Sequence, residues 1–168
     1  MAAALARPPL AGEALPSRLV VRRRAASEPA GLARAIGAAS TWLGPECEPA
    51  PEGMRRHQAD LRLRVSDRPS FVTFGKAAYV DLGPVQPLDA GWQLEVGWRA
   101  STLAPLFPVF SGTIVARGAE LTLSGWYAPP GGAIGRIADQ ALLHLAARGT
   151  ARWLLGELDR AARIAAAG

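Results

Sequence analysis

Trp92, Leu94, Val96 and Trp98 alternate with Gln93, Glu95, Gly97 and Arg99. A period of two places the four apolar residues on one face of an extended chain, so this segment predicts a half-buried β-strand and excludes an amphipathic helix. Other segments carry the same signal. Leu61-Arg62-Leu63-Arg64-Val65 alternates cleanly, and Phe71–Val80 is a second run bounded by Pro69 and by Gly83-Pro84. Val109–Arg117 and Glu120–Tyr127 flank a Gly118-Ala119 turn and read as a hairpin. Strands joined by short turns, with no helix between them, indicate one antiparallel meander.

The flanks are helical. Leu19-Val20-Val21 predicts a short first strand, after which Ser27 offers an N-cap and Pro29 sits in the first turn. Leu32, Ile36 and Ala39 continue at helical spacing, until Gly44-Pro45 stops the helix near Trp42-Leu43. Residues 46–54 read as a loop. Beyond Pro129-Pro130-Gly131-Gly132, no proline interrupts Ala133 to Ala166, which predicts a long terminal helix. Its first half aligns Ile134, Ile137, Ala138, Ala141, Leu142 and Leu145. Its second half aligns Trp153, Leu154, Leu155, Leu158 and Ala161 on roughly the opposite side, with Leu143 and Ala147 in line before them. Such a helix either bends near Gly149 or buries two faces. The second face is expected to be covered within the chain, by the first helix or the leader, with a homodimer through this helix as the alternative. Residues 1–16, rich in Ala and Pro, are expected to be a disordered leader before a single domain over 17–168.

One cysteine and two histidines exclude an internal disulfide, a multi-thiolate metal site and a three-histidine centre, so no metal or cofactor is expected. The net charge is +5 over 168 residues, and all 19 basic residues except Lys76 are arginine. These are spread along the chain without interleaved aromatics, so weak, salt-sensitive attraction to nucleic acid is expected and no specific recognition. No apolar run is long enough for a transmembrane segment, no signal peptide is evident, and a cytoplasmic location is expected.

Several motifs carry a closer resemblance. They are Trp98-Arg99-Ala100, Leu106-Phe107-Pro108 with Gly112, and Leu121-Thr122-Leu123-Ser124-Gly125-Trp126-Tyr127-Ala128-Pro129-Pro130. Gly131-Gly132-Ala133-Ile134-Gly135-Arg136 with Asp139, His144, Ala147 and Thr150 continues them. Together they resemble actinobacterial-type members of the SRPBCC superfamily, the START and polyketide-cyclase-like helix-grip proteins. The likeness runs from Gly91 to Leu158 and is one of element order from Arg18 to Val80. It implies an α+β fold in which a curved antiparallel sheet wraps around the long C-terminal helix, with an apolar cavity between them. The step from that fold to an activity is analogy.

On this reading the cavity is lined by Trp92, Leu94, Val96, Trp98, Phe110, Leu123 and Tyr127 from the strands. Ile134, Ala138, Ala141 and Leu142 line it from the helix. The expected function is binding of a hydrophobic small molecule (a lipid, polyketide or isoprenoid) without bond chemistry. The alternatives are a cyclase or dehydrase using the same cavity, or an interaction protein whose pocket has collapsed. An enzyme needs an acid or base inside, for which Tyr127 and His144 are the candidates. His144 lies off the cavity-facing stripe and reads more simply as a packed histidine. His57, after Arg55-Arg56, reads as a solvated loop residue, and Glu95 as a surface partner of Arg99. Asp139 and Arg136 fall on the polar arc of the helix. Gly131-Gly132-x-x-Gly135 lacks the lysine and the βαβ context of a phosphate loop.

Overall fold

The computed structural model describes residues 16–64, 73–101, 107–128 and 140–167. The elements are β1 (Ser17–Arg24), α1 (Pro29–Gly37), a 3-10 turn (Ala39–Thr41), β2 (Arg55–Arg64), β3 (Thr73–Leu82) and β4 (Gln86–Leu88). They continue with β5 (Gly91–Ala100), β6 (Val109–Arg117), β7 (Glu120–Ala128) and α2 (Gln140–Ala167). Every pairing is antiparallel, in the order β1-β7-β6-β5-β3-β2, and β4 lies beside the first part of β5. This is the α+β helix-grip arrangement.

Packing dictates the curl. α2 lies against β1 and β7 at one end of the strand order and against β2 at the other. Laid flat, six strands abreast would span about 24 Å at about 4.8 Å per step, whereas a helix with its side chains is about 10–12 Å across. Both edges can reach one helix only if the sheet bends around it.

Two local devices make the bend. Leu82 faces Val96 but Gln86 faces Gln93, so Gly83, Pro84 and Val85 stand against only Leu94 and Glu95. The extra residue is a β-bulge, and Pro84, with no N–H to donate, is suited to it. The other device is the facing pair Gly112 and Gly125 in β6 and β7. A Cβ on either would come within 2.7 Å of Phe110 Cζ, and within 2.2 Å of the Ser124 oxygen or 2.3 Å of the Ser111 oxygen respectively. The bare backbone is therefore what lets the two strands close and the Phe110 ring lie over them.

The buried stripe of α2 is the second of the two expected from the sequence. Leu143, Ala147, Thr150, Leu154, Leu158 and Ala162 are all buried, at steps of three and four residues. Leu145, assigned to the other stripe, is 51% exposed. One stripe thus serves the whole described length of α2, and Gly149 lies within a continuous helix. The cover comes from α1 and the sheet of the same chain, which leaves this stripe no room for a second subunit.

α1 plugs one end of the curl. Its buried Leu32, Ala35 and Ile36 face β5, β6 and α2. Ser27 is not its N-cap: that position is Glu28, without a side-chain cap bond. Instead Asp159 on α2 accepts from the amides of Ala26 and Ser27 at 3.0 and 3.2 Å. Trp92 Nε1 donates to the Pro29 oxygen at 2.7 Å, and Arg55 caps the far end by donating to the Ile36 oxygen at 2.8 Å. Three distant side chains, Asp159, Trp92 and Arg55, thus hold a helix of nine residues that would be marginal alone.

On the convex side Arg56 and Asp81 face each other across β2 and β3 and form a bidentate pair, at 2.7 and 2.9 Å. Hydrogen bonding to Asp81 raises the Arg56 pKa above its usual value, against the opposing effect of burial. Arg56 also donates to the Pro49 oxygen. Beside it, the Cys47 amide bonds the Arg56 oxygen at 2.9 Å and the Gln58 amide bonds the Pro45 oxygen at 3.0 Å. The loop thereby covers the open edge of β2. Arg99 lies over the Tyr79 ring, 5.6 Å from its centre, where the sequence had pointed to pairing with Glu95.

Gly125→Ala is expected to cost about 1–3 kcal/mol in urea unfolding, because a backbone oxygen cannot swing aside as a side chain can. Asp81→Ala leaves the buried guanidinium unpaired and should cost about 3–5 kcal/mol, whereas Arg56→Met with Asp81→Leu should be near neutral. The same unfolding measurement checks both.

Candidate functional site

Strand register assembles the site. His57 pairs with Val80, Val80 with Trp98, Trp98 with Phe110, and Phe110 with Tyr127. These five residues form one row across β2, β3, β5, β6 and β7, and all are buried. Alternation puts the row on the face that carries Ala59, Leu61, Leu94 and Leu123. Trp98 and Phe110 stack with ring centres 3.9 Å apart and planes 12° apart. Phe110 is seated there by the Gly112–Gly125 floor, so the same glycines that bend the sheet also place its central aromatic pair.

At the β7 end of the row, Tyr127 meets α2. Its hydroxyl lies 3.1 Å from His144 Nδ1, with ring centres 5.9 Å apart. The two residues that the sequence offered as acid or base are hydrogen-bonded to each other. His144 is half-buried at the edge of the helix stripe. With the phenol donating to Nδ1, the pair can hold and pass a proton at the rim of the concave face.

At the β2 end, His57 corrects the sequence reading. It is fully buried within a strand that begins at Arg55, six residues before the Leu61 at which alternation becomes obvious. Its Nδ1 lies 3.0 Å from the Gly44 carbonyl. That oxygen can only accept, so Nδ1 carries the hydrogen, and in the tautomer this selects Nε2 is the acceptor. The signal was present in the parity: His57, Ala59 and Leu61 lie on one face. Two arginines beside His57 masked it, because the ion pair that buries Arg56 joins residues 25 apart.

Three buried polar atoms have no hydrogen-bond partner among the described residues: His57 Nε2, Trp98 Nε1 and Thr150 Oγ1. Trp98 lies on the inner row and Thr150 on the buried stripe of α2. The ring geometry turns Nε2 away from the loop that holds Nδ1. Buried polar groups are nearly always satisfied, so three unmatched ones on residues of the core stand out.

The remaining expected residues divide as follows. Leu94, Val96 and Leu123 are buried on the concave face beside the row. Trp92 is buried at the end that α1 closes and is bonded to it. Ile134, Ala138, Asp139 and Arg136 lie outside the described residues. Ala141 and Leu142 fall in the first turn of α2. Arg22, Arg23, Arg24 and Arg117 gather around an open surface hollow of about 380 Å³, which the linear spread of arginines did not foretell. Among the described residues, no three potential metal ligands cluster and no helix is long and apolar enough to cross a membrane.

No family model matches the chain, and neither does any curated protein. Among solved structures it is similar to the Zhui aromatase/cyclase from Streptomyces sp. R1128, at 11% identity and a TM-score of 0.50. That match covers 89% of this chain and 93% of the other. It is also similar to DynU16, a protein of the dynemicin biosynthetic locus, at 16% identity and a TM-score of 0.44, covering 85% of this chain and 46% of that one. The first likeness is one of fold: both chains have the helix-grip arrangement.

Thr150→Val keeps the shape of the side chain and removes an unmatched hydroxyl. It should stabilise the protein, by about 1 kcal/mol, in thermal or urea unfolding. A loss of similar size would mean that the hydroxyl is satisfied, and the interior is not polar-poor as described.

Proposed function

We propose that the chain binds a hydrophobic small molecule of lipid, polyketide or isoprenoid type between the concave sheet face and α2, without bond chemistry. The observation that carries this reading is the apolar row Trp98, Phe110 and Tyr127 beside three buried polar atoms that no described residue satisfies. An aromatic surface of this kind supplies affinity by dehydration, while a few polar atoms orient the guest. Leu94, Val96 and Leu123 extend the wall.

A polyketide cyclase-like or dehydrase-like enzyme is the second reading, and the Tyr127–His144 hydrogen bond favours it. The fold likeness to an aromatase/cyclase fits it as well. Tyr127→Phe separates the two: it should abolish turnover of a poly-ketone by an enzyme and leave a carrier's affinity within about threefold.

Native mass spectrometry of protein purified without detergent is expected to show a bound organic mass. The stripped protein should then enhance the fluorescence of N-phenyl-1-naphthylamine and lose that response when reloaded. A folded protein that carries no mass and leaves the probe dark would overturn the reading in favour of a filled core and an interaction protein.

A further inference from the structure

The three unmatched atoms are not chemically equivalent, and their differences specify the guest. Trp98 Nε1 carries a hydrogen and can only donate. His57 Nε2 can only accept, because the Gly44 carbonyl holds the hydrogen on the other nitrogen. A doubly protonated ring would bury an unpaired cation, which is far more costly. Thr150 Oγ1 can do either.

Charge narrows the guest further. The buried charged side chains among the described residues are Arg56, Asp81 and Asp159. Arg56 and Asp81 are paired with each other, and Asp159 is occupied by the amides before α1. None offers a counter-charge to a carboxylate on the concave face.

From this juxtaposition we infer that His57 and Trp98 are specificity-determining residues for a neutral ligand that carries a hydroxyl and a carbonyl-type oxygen. The hydroxyl donates to His57 Nε2, and the other oxygen accepts from Trp98 Nε1. The two residues sit in the same row with β3 between them, about 10 Å apart at the backbone. Two aromatic rings span such a distance. The inference rests on the proposed function, since it specifies the guest of the same interior.

A matched series tests it by calorimetry on stripped protein: diphenylmethane, 4-benzylphenol, benzophenone and 4-benzoylbenzoate. 4-Benzylphenol and benzophenone should each bind about 3- to 10-fold more tightly than diphenylmethane, the value of one neutral hydrogen bond. 4-Benzoylbenzoate should bind at least about tenfold more weakly than benzophenone, for want of a cation. His57→Asn keeps an amide donor for the Gly44 oxygen and removes Nε2. It should bring the 4-benzylphenol preference to about one and leave the benzophenone preference intact. Trp98→Phe should do the reverse.

Nitrogen-15 chemical shifts of the wild-type protein provide the check that needs no variant. The His57 ring should show a protonated Nδ1 and a bare Nε2, with the Nε2 signal moving upfield when 4-benzylphenol is added. If the four compounds bind alike, the inference fails while the apolar pocket stands. It fails in the same way if His57→Asn keeps the hydroxyl preference, or if Nε2 is protonated or unmoved because only an ordered water sits there. If diphenylmethane and all its relatives fail to bind, the pocket fails and takes the inference with it.

Discussion

Both edges of the sheet must reach α2, and most of the structure follows from that. β1 and β2 lie at opposite ends of the strand order, yet each packs on the same helix. A flat sheet cannot do this. The extra residue at Gly83–Val85 and the bare Gly112–Gly125 pair absorb the curvature, and α1 closes the end that the curl leaves open. Each fully buried leucine of α2 contributes about 1.5–3 kcal/mol, and it does so only because the sheet wraps far enough to exclude water. Curvature and core are one requirement.

The same curvature brings chemistry inward. A flat antiparallel sheet would leave the row from His57 to Tyr127 spread over about 19 Å between its outer strands. Wrapped around α2, that row faces a common interior with Thr150, and His144 meets Tyr127 at its rim. An apolar interior strengthens each hydrogen bond made there and penalises each polar group left bare. The three unmatched atoms are therefore a cost that the fold carries within its own core. On the proposed function, stability and recognition are linked at this face: the better a guest matches the bare atoms, the more it stabilises the fold.

Polar residues on the outside do different work. Arg56 and Asp81 tie β2 to β3, and the loop that crosses them covers the sheet edge. That loop also presents the Gly44 carbonyl that selects the His57 tautomer. A side chain on the concave face is thus set by an edge loop, which is why a residue beside two arginines can be a buried acceptor.

The sequence alone determined the elements that obey local rules. Alternation placed Trp92, Leu94, Val96 and Trp98 on one face, the Gly118-Ala119 turn made the β6–β7 hairpin, and the absence of proline allowed α2. The resemblance carried in Trp98 to Thr150 pointed to the helix-grip order, which the observed topology has. Tertiary structure decided which of two plausible stripes on α2 is buried, because 100° spacing describes a helix without saying what covers it. It also decided that Asp159, and not Ser27, satisfies the amides before α1, a contact between residues more than 130 apart. The burial of His57 and the meeting of Tyr127 with His144 belong to the same class. A side chain's face can be read from local periodicity, but its partner depends on strand register and sheet curl, which involve the whole chain at once.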